Sequence, residues 1–313
     1  MIKFILKRFL LAIPTLLAVL TIVFLIARVI PGDPAAVILG DSASREALDN
    51  LRQRLGLNQS LSRQYIGFIT DALKGNLGKS LVSGTSVMKE VMNVLPYTID
   101  LTIAGVIIGV VFGVPLGVLT AVYRNSAIDF VTRIASLLGL SFPAFYSAIL
   151  LIIVFALQLG WFPVLSSGDL SNPVERLHHL ILPGVNLGLI MVAYVTRATR
   201  SSMLEVLRED YIRTAKAKGL PGVVILFRHA IRNALIPIIT VIGLYLGVLV
   251  GNSVLTEIVF NRPGLGKLII GALNQRDYSM LQGLMVVYGF IIVLTNLITD
   301  LTYGFSDPRV KYS

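Results

Sequence analysis

Of 313 residues, 55% are hydrophobic and only 14% are charged, roughly half the charged share of an ordinary soluble domain, which excludes a soluble enzyme as the first reading. The 27 basic residues outweigh 17 acidic ones for a formal charge of +10; such a surplus suits nucleic acid, an anionic membrane surface or the inner loops of a membrane protein. Cysteine is absent, so there is no disulfide framework, thiolate metal site or cysteine nucleophile.

The chain opens with Lys3, Lys7 and Arg8 ahead of an uncharged run over 9–27. This imitates a secretory signal, but the run is long enough to span and only Ala27-Arg28-Val29-Ile30-Pro31 follows, with no small-x-small cleavage site. Residues 1–29 are therefore read as the N-terminus and an uncleaved first transmembrane helix. Residues 30–99 form an extracytoplasmic segment that opens with Pro31-Gly32-Asp33-Pro34. It carries two amphipathic stretches, Leu48, Leu51 and Leu55, then Tyr65, Ile69 and Ala72, at helical spacing. It is a small helical cap, too short for a catalytic domain. The tripeptide Gly78-Lys79-Ser80 imitates the end of a phosphate-binding loop, but that motif needs glycine where this chain has Leu73.

Residues 100–313 hold the core, with uncharged runs at 101–123, 180–196, 234–256 and 278–299. A further uncharged stretch over 134–168 is too long for one upright helix, and its exit is Leu159-Gly160-Trp161-Phe162-Pro163, with an aromatic pair suited to the interface. The expectation is an all-α polytopic membrane protein with six spans. The second span has Gly105, Gly109, Gly113 and Gly117 at four-residue intervals, and the fifth has Gly243, Gly247 and Gly251. Each ladder makes a smooth stripe on which helices can pack closely, or slide. Pro14, Pro115, Pro143, Pro183 and Pro237 lie in or at the ends of spans, where freed carbonyls can bend a helix. Asp100, Glu257 and Asp300 are read as sitting only at span ends, so nothing at mid-membrane marks an ion-coupled carrier and the energy for transport comes from outside this chain. Asn186, Asn252 and Asn296 are the deeper polar groups, placed as interhelical glue or cavity lining.

Lysine and arginine set the orientation. The termini and the loops after spans two and four carry 15 of them, against 4 in the short loops of the other side, which places both termini in the cytoplasm. His178, His179 and His229 are too scattered for a metal site, and no hydrolase or metalloprotease motif occurs. The inner loop over 197–235 stands out. Good helix formers run from Asp210 through Tyr211, Arg213, Thr214, Ala215 and Ala217 to Lys218, Gly219 then supplies a left-handed stop and Pro221 prevents continuation. This predicts a short helix across the inner face, either resting on lipid head groups or acting as a knob for a soluble partner.

At this loop the chain resembles the permeases of ATP-binding-cassette importers, whose pattern is E-A-A-x3-G-x9-I-x-L-P. Laid on Gly219, the pattern meets Thr214 and Ala215 at the alanine positions, Arg213 in place of glutamate, and His229-Ala230-Ile231-Arg232 at its end. The run from Asp210 to Gly219, followed by Arg228-His229-Ala230-Ile231-Arg232-Asn233-Ala234-Leu235-Ile236-Pro237, is similar to the dipeptide, oligopeptide and nickel permease subfamily. Further similarities are Gly75-Asn76-Leu77-Gly78-Lys79-Ser80, Ser141-Phe142-Pro143, Phe260-Asn261-Arg262-Pro263-Gly264-Leu265-Gly266, Arg276-Asp277-Tyr278 and Asp307-Pro308-Arg309, with Ser279 where the subfamily often has proline. The resemblance implies a type I importer permease fold in the bacterial cytoplasmic (inner) membrane. Its implied partners are a second homologous permease subunit, two ATP-binding subunits, an extracytoplasmic substrate-binding protein and membrane lipid, with no nucleic acid. It implies no cofactor in this chain, since ATP and magnesium belong to the ATPase subunits. It also implies that the helix at Asp210 to Gly219 is the coupling helix, and that the cargo is a dipeptide or oligopeptide, or for near relatives glutathione, nickel chelates or sugars.

Overall fold

The computed structural model describes residues 2–29, 34–39, 43–54, 56–164, 168 and 171–306. Pro31-Gly32-Asp33, Leu55, Asp307-Pro308-Arg309 and Lys311 lie outside them. In chain order the helices are α1 (Ile2–Val29), α2 (Pro34–Leu39), α3 (Arg45–Arg54), α4 (Leu61–Leu73), α5 (Val87–Val122), α6 (Ala127–Ser141) and α7 (Ala144–Leu151), which runs on as a π-helical stretch, Ile152–Gln158. Then come α8 (Pro173–Val206), α9 (Asp210–Ala217), α10 (Gly222–Val224), a second π-helical stretch Ile225–Ile231, α11 (Arg232–Val259), α12 (Leu265–Asn274) and α13 (Tyr278–Ser306).

Among the described residues, five helices are long and apolar enough to cross a membrane: Ile5–Arg28, Val87–Val122, Pro173–Val206, Gly222–Val259 and Tyr278–Thr302. Each covers its uncharged run to within one residue and extends past at least one end of it, because a helix continues into its polar flanks once its middle is buried. The remaining span is not one rod. It starts at Ala127, earlier than the uncharged stretch, and Ala127–Ser141 meets Ala144–Gln158 at 107°. Pro143 causes the break: it lacks an N–H and drives the preceding residue out of the helical region, and Phe142 is extended at φ −81° and ψ 129°. The ten-residue α12 was not anticipated, since it is too short for a span and shows in the sequence only as the Gly264-Leu265-Gly266 motif.

The contacts divide the chain into two compact units, one of Met1–Arg8, Tyr97–Pro263 and Thr295–Ser313, the other of Phe9–Pro96 and Gly264–Leu294. In the first, the α5 glycines meet residues spaced by four on α8. A Cβ added at Gly105 would stand 3.1 Å from the Leu187 side chain, at Gly109 2.6 Å from Met191 Cβ, at Gly113 2.8 Å from Val195 Cβ and at Gly117 2.7 Å from the Thr196 carbonyl oxygen. The fit is reciprocal, since a Cβ at Gly188 would lie 2.7 Å from Ile108 Cβ and one at Gly184 3.0 Å from Ala104 Cβ. Ridges spaced by four thus enter grooves spaced by four on both helices, and close approach supplies the dispersion contact that lipid cannot. The partners rise together in number, so α5 and α8 run parallel. The chain between them must therefore return to the other end. It does so through the bent pair, from Asp129 beside Arg200 at one end to Trp161, whose carbonyl oxygen lies 3.0 Å from His178 Nε2, at the other. That return makes the sixth crossing. Asn186 ties this unit together: it accepts from the Ser147 hydroxyl at 2.8 Å and donates to Thr256 Oγ1 at 3.0 Å. This is the glue role expected of it, joining α7, α8 and α11 at about 0.6 kcal/mol per bond.

The second glycine ladder behaves differently. A Cβ at Gly243 would collide with Thr299, whose Cβ would lie 2.9 Å away, while at Gly247 the nearest atom is Asn296 Oδ1 at 3.8 Å and at Gly251 nothing lies within 4 Å. Among the described residues, the rung at Gly243 is tightly packed, the one at Gly247 is in loose contact and the one at Gly251 is open.

In the other unit the amphipathic stretch Tyr65, Ile69 and Ala72 forms part of α4. Ile69 and Ala72 pack beside Leu20 and Val23 of α1, Phe24 meets the Tyr65 ring edge-on at 5.3 Å, and Thr21 Oγ1 lies 2.7 Å from the Tyr65 hydroxyl. The imitation phosphate loop leads into a turn at 81–83, which Lys79 and Ser86 close with an isolated antiparallel bridge. Ser80 donates its hydroxyl proton to Asp277, which also accepts the N–H groups of Leu81 at 3.0 Å and Met280 at 3.1 Å, so this carboxylate caps the start of α13.

Candidate functional site

The loop between α8 and α11 folds as the sequence predicts locally. Helix α9 ends in a Schellman motif, with the Gly219 N–H donating to the Lys216 carbonyl at 2.9 Å and the Leu220 N–H to that of Ala215 at 3.2 Å. Gly219 has φ +75°, the left-handed position that a Cβ disfavours. The helix has two faces. Ile212 and Ala215, three apart, are buried with Met203 of α8 and with Ile225 and Ala230 of the second π-helical stretch. Tyr211, Arg213, Thr214, Ala217, Lys218 and Gly219 are exposed, and the Asp210 carboxylate reaches Arg213 at 3.2 Å. Asn233 donates to the Tyr211 hydroxyl at 3.1 Å and to the His229 carbonyl at 2.8 Å, which strings α9 to the start of α11.

The two small residues of α9 therefore lie on different faces. Ala217 is available to a partner, whereas Ala215 is small because it packs against its own chain. The geometry makes α9 a peg: one face is bonded into α8 and the helix leading to α11, and the other offers a short basic ridge.

Two ionic clusters flank the membrane core, and the sequence reading missed both. Asp129, fully buried in the first turn of α6, takes two parallel hydrogen bonds from Arg200 of α8 at 2.8 Å each, one N–H from Asn125 at 3.0 Å, and Arg133 at 3.4 Å. A buried carboxylate needs such pairing. It was hidden because acid in a first helical turn reads as ordinary N-terminal charge, although Ser126 accepting from the Asp129 N–H marks a capped start. At the other end, Asp100 pairs with Arg176 and lies 3.7 Å from Arg262. Glu257, expected at a span end, is fully buried in α11 and accepts from Thr98 at 2.7 Å. Arg262 is also fully buried, with its guanidinium 5.3 Å above the Tyr97 ring. Burial pulls the Arg262 proton affinity down, and Asp100 and Glu257 push it back up.

Comparison with known proteins places this geometry. Residues 113–312 match the family described as binding-protein-dependent transport system inner membrane component, and residues 1–102 match its N-terminal membrane component. The chain is 41% identical to the dipeptide transport system permease protein DppB of Alkalihalophilus pseudofirmus and 39% identical to the di/tripeptide transport system permease protein DppB of Pseudomonas aeruginosa, covering 100% of this chain and at least 99% of each relative. It is 38% identical to the glutathione transport system permease protein GsiC of Escherichia coli, over the whole of both chains. The solved inward-facing MetNI methionine ABC transporter superposes with a TM-score of 0.58 at 18% identity, over 70% of this chain and 97% of that one, which speaks for the fold alone.

Proposed function

We propose, since the chain belongs to the family of binding-protein-dependent transport system inner membrane components, that it carries short peptides across the membrane as one of two permease subunits. As a member it is a permease subunit of an ATP-binding-cassette importer, an integral membrane protein that works with the other components of that importer. The peptide reading rests on one observation: along its full length the chain is about 40% identical to permeases named for dipeptides and di- or tripeptides. The glutathione permease fits the same chemistry, because glutathione is itself a tripeptide.

In this reading ATP is bound and hydrolysed by two separate subunits, and this chain contributes no catalytic residue. Closure of those subunits pushes the exposed face of α9. Ile212 and Ala215 pass the displacement to α8 and to the helix that continues as α11, and the paths through the α5–α8 and α7–α8–α11 contacts tilt with them. Coupling between the nucleotide and peptide sites is a free-energy linkage, and α9 is its lever. A binding protein outside delivers the peptide. The test is uptake of a labelled dipeptide into proteoliposomes holding this chain, its second permease and both ATPase subunits, with binding protein and peptide outside and ATP inside. Uptake above the ATP-free control is expected; binding-protein-dependent uptake of a metal chelate or sugar with no uptake of any di- or tripeptide would overturn the peptide assignment.

The orientation is proposed on the bias of 15 basic residues against 4. It agrees with six crossings, and with Arg8 of α1 paired to Asp300 of α13 at 2.8 Å, which brings the two terminal helix ends to one side. The native chain lacks cysteine, so a cysteine at Ser60 should react with a membrane-impermeant maleimide only from outside, and one at Ala217 only after the inner face is opened. The reverse pattern would invert the topology.

A further inference from the structure

At the end of the first unit that carries Asp129, α5, α6 and α8 enclose a cavity of about 530 Å³. Four arginines line it, Arg133 from α6, Arg197 and Arg200 from α8, and Arg208 from the turn that follows α8, with Glu205 the one acidic residue in the lining. Asp129, bonded to Arg200 and close to Arg133, accounts for one further negative charge. Four positive charges against two negative leave a surplus of two, and Arg197 and Arg208 are both exposed. A second feature points to a ligand independently of charge. Thr196 lines the same cavity, is 3% exposed, and its buried hydroxyl has no hydrogen-bond partner among the described residues. Leaving such a hydroxyl unpaired costs about 1–3 kcal/mol, which an oxygen of a bound anion would recover.

The rest of the lining shows what the anion is attached to. Leu137 and Leu140 of α6 also line the cavity. Leu137 is 58% exposed, and on the same helix Phe130, Val131, Ile134 and Leu138 lie uncovered. The cavity is thus a cationic pocket opening onto a bare apolar helix at the inner end of the spans. We propose that it is a binding site for an anionic phospholipid. The phosphodiester would sit between Arg197 and Arg208 within reach of the Thr196 hydroxyl, and an acyl chain would run along Leu137 and the outer face of α6. Basic pockets between transmembrane helices on the cytoplasmic side take anionic head groups for this reason, while Asp129 holds Arg200 in place as a wall of the pocket. The inference rests on the membrane orientation above and is independent of the peptide assignment.

The test is native mass spectrometry of the full chain purified in detergent and titrated with phosphatidylglycerol, phosphatidylcholine or inorganic phosphate. Phosphatidylglycerol should be retained in preference to phosphatidylcholine. The double variant Arg197→Gln with Arg208→Gln should lower its affinity at least tenfold, which corresponds to about 1.4 kcal/mol. Both residues are exposed, so folding should be unaffected. Thr196→Val should weaken binding several-fold, and Arg124→Gln, which removes the same charge from an exposed turn outside the cavity, should leave it unchanged. Equal retention of the two lipids, wild-type affinity in the double variant, or displacement of the lipid by millimolar inorganic phosphate would each overturn the proposal. So would loss of binding in Arg124→Gln, since general surface charge would then be sufficient. Dipeptide uptake failing while this pattern holds would dispose of the peptide reading alone.

Discussion

Gly109→Leu and Gly113→Leu should each remove most of the chain from the membrane fraction, and they carry the largest expected loss of stability. A Cβ at either position would already press within 3 Å of the Met191 or Val195 Cβ, a separation that real side chains do not adopt, and three further carbons have no place to go. Overpacking of a well-filled contact costs about 3 kcal/mol or more. Here it would also separate α5 from α8 along the whole ladder, including the reciprocal rungs at Gly184 and Gly188. Gly251→Leu is the internal contrast, because nothing of this chain lies within 4 Å of its added Cβ. Its abundance should equal wild type when the chain is expressed alone. Quantitative immunoblotting of membranes, followed by thermal melting of the solubilised chain, checks all three. Normal abundance and melting of both α5 variants would contradict the close α5–α8 contact.

The second large effect separates the two faces of α9. Ala215→Glu would place a carboxylate among Ile212, Met203, Ile225 and Ala230. Burying an unpaired charge is costly enough to unfold a local element, so this variant should lose abundance and not coupling alone. Arg213→Glu and Ala217→Glu lie on the exposed face and should reach the membrane at wild-type levels. In the assembled importer they are expected to lower co-purified ATPase subunit at least tenfold, about 1.4 kcal/mol of lost affinity, through reversed charge or added bulk at the docking ridge. If the exposed-face variants keep full ATPase association and the buried-face variant keeps full abundance, the two-faced description of α9 fails.

How far these features could be read in advance varies with their physics. Long apolar runs report burial in lipid without any partner, so the six spans are visible in the chain; their ends are not, because flanking polar residues are equally content in helix or loop. The α5 ladder was visible as four glycines in register. Its counterpart on α8 was not, since two glycines four apart are too common to stand out and Leu187, Met191 and Val195 look like any lipid-facing residues. The left-handed stop at Gly219 followed from local backbone chemistry. Which way Ala215 points did not, although Ile212 three residues before it is the one large aliphatic side chain of α9 and therefore marks the inward face. The break at Phe142-Pro143 had its proline on view, yet a proline inside a span commonly only kinks it. The ion pairs at Asp129 and Asp100 depend on residues more than 70 positions away, and no local pattern announces such a partner.

The central claim is that the exposed face of α9 receives the ATPase subunit and drives transport. Its most direct test modifies that face after folding is complete. A cysteine replacing Ala217 would be reacted with a bulky maleimide in the purified, folded permease pair before the ATPase subunits are added, with the cysteine-free wild-type chain treated in parallel. The measurement is ATP-driven dipeptide uptake into proteoliposomes. The account predicts that the modified Ala217→Cys importer loses uptake while the unmodified variant and the treated wild type keep it. Full uptake by the modified importer would contradict the account, because a docking ridge cannot carry such a group and still transmit force.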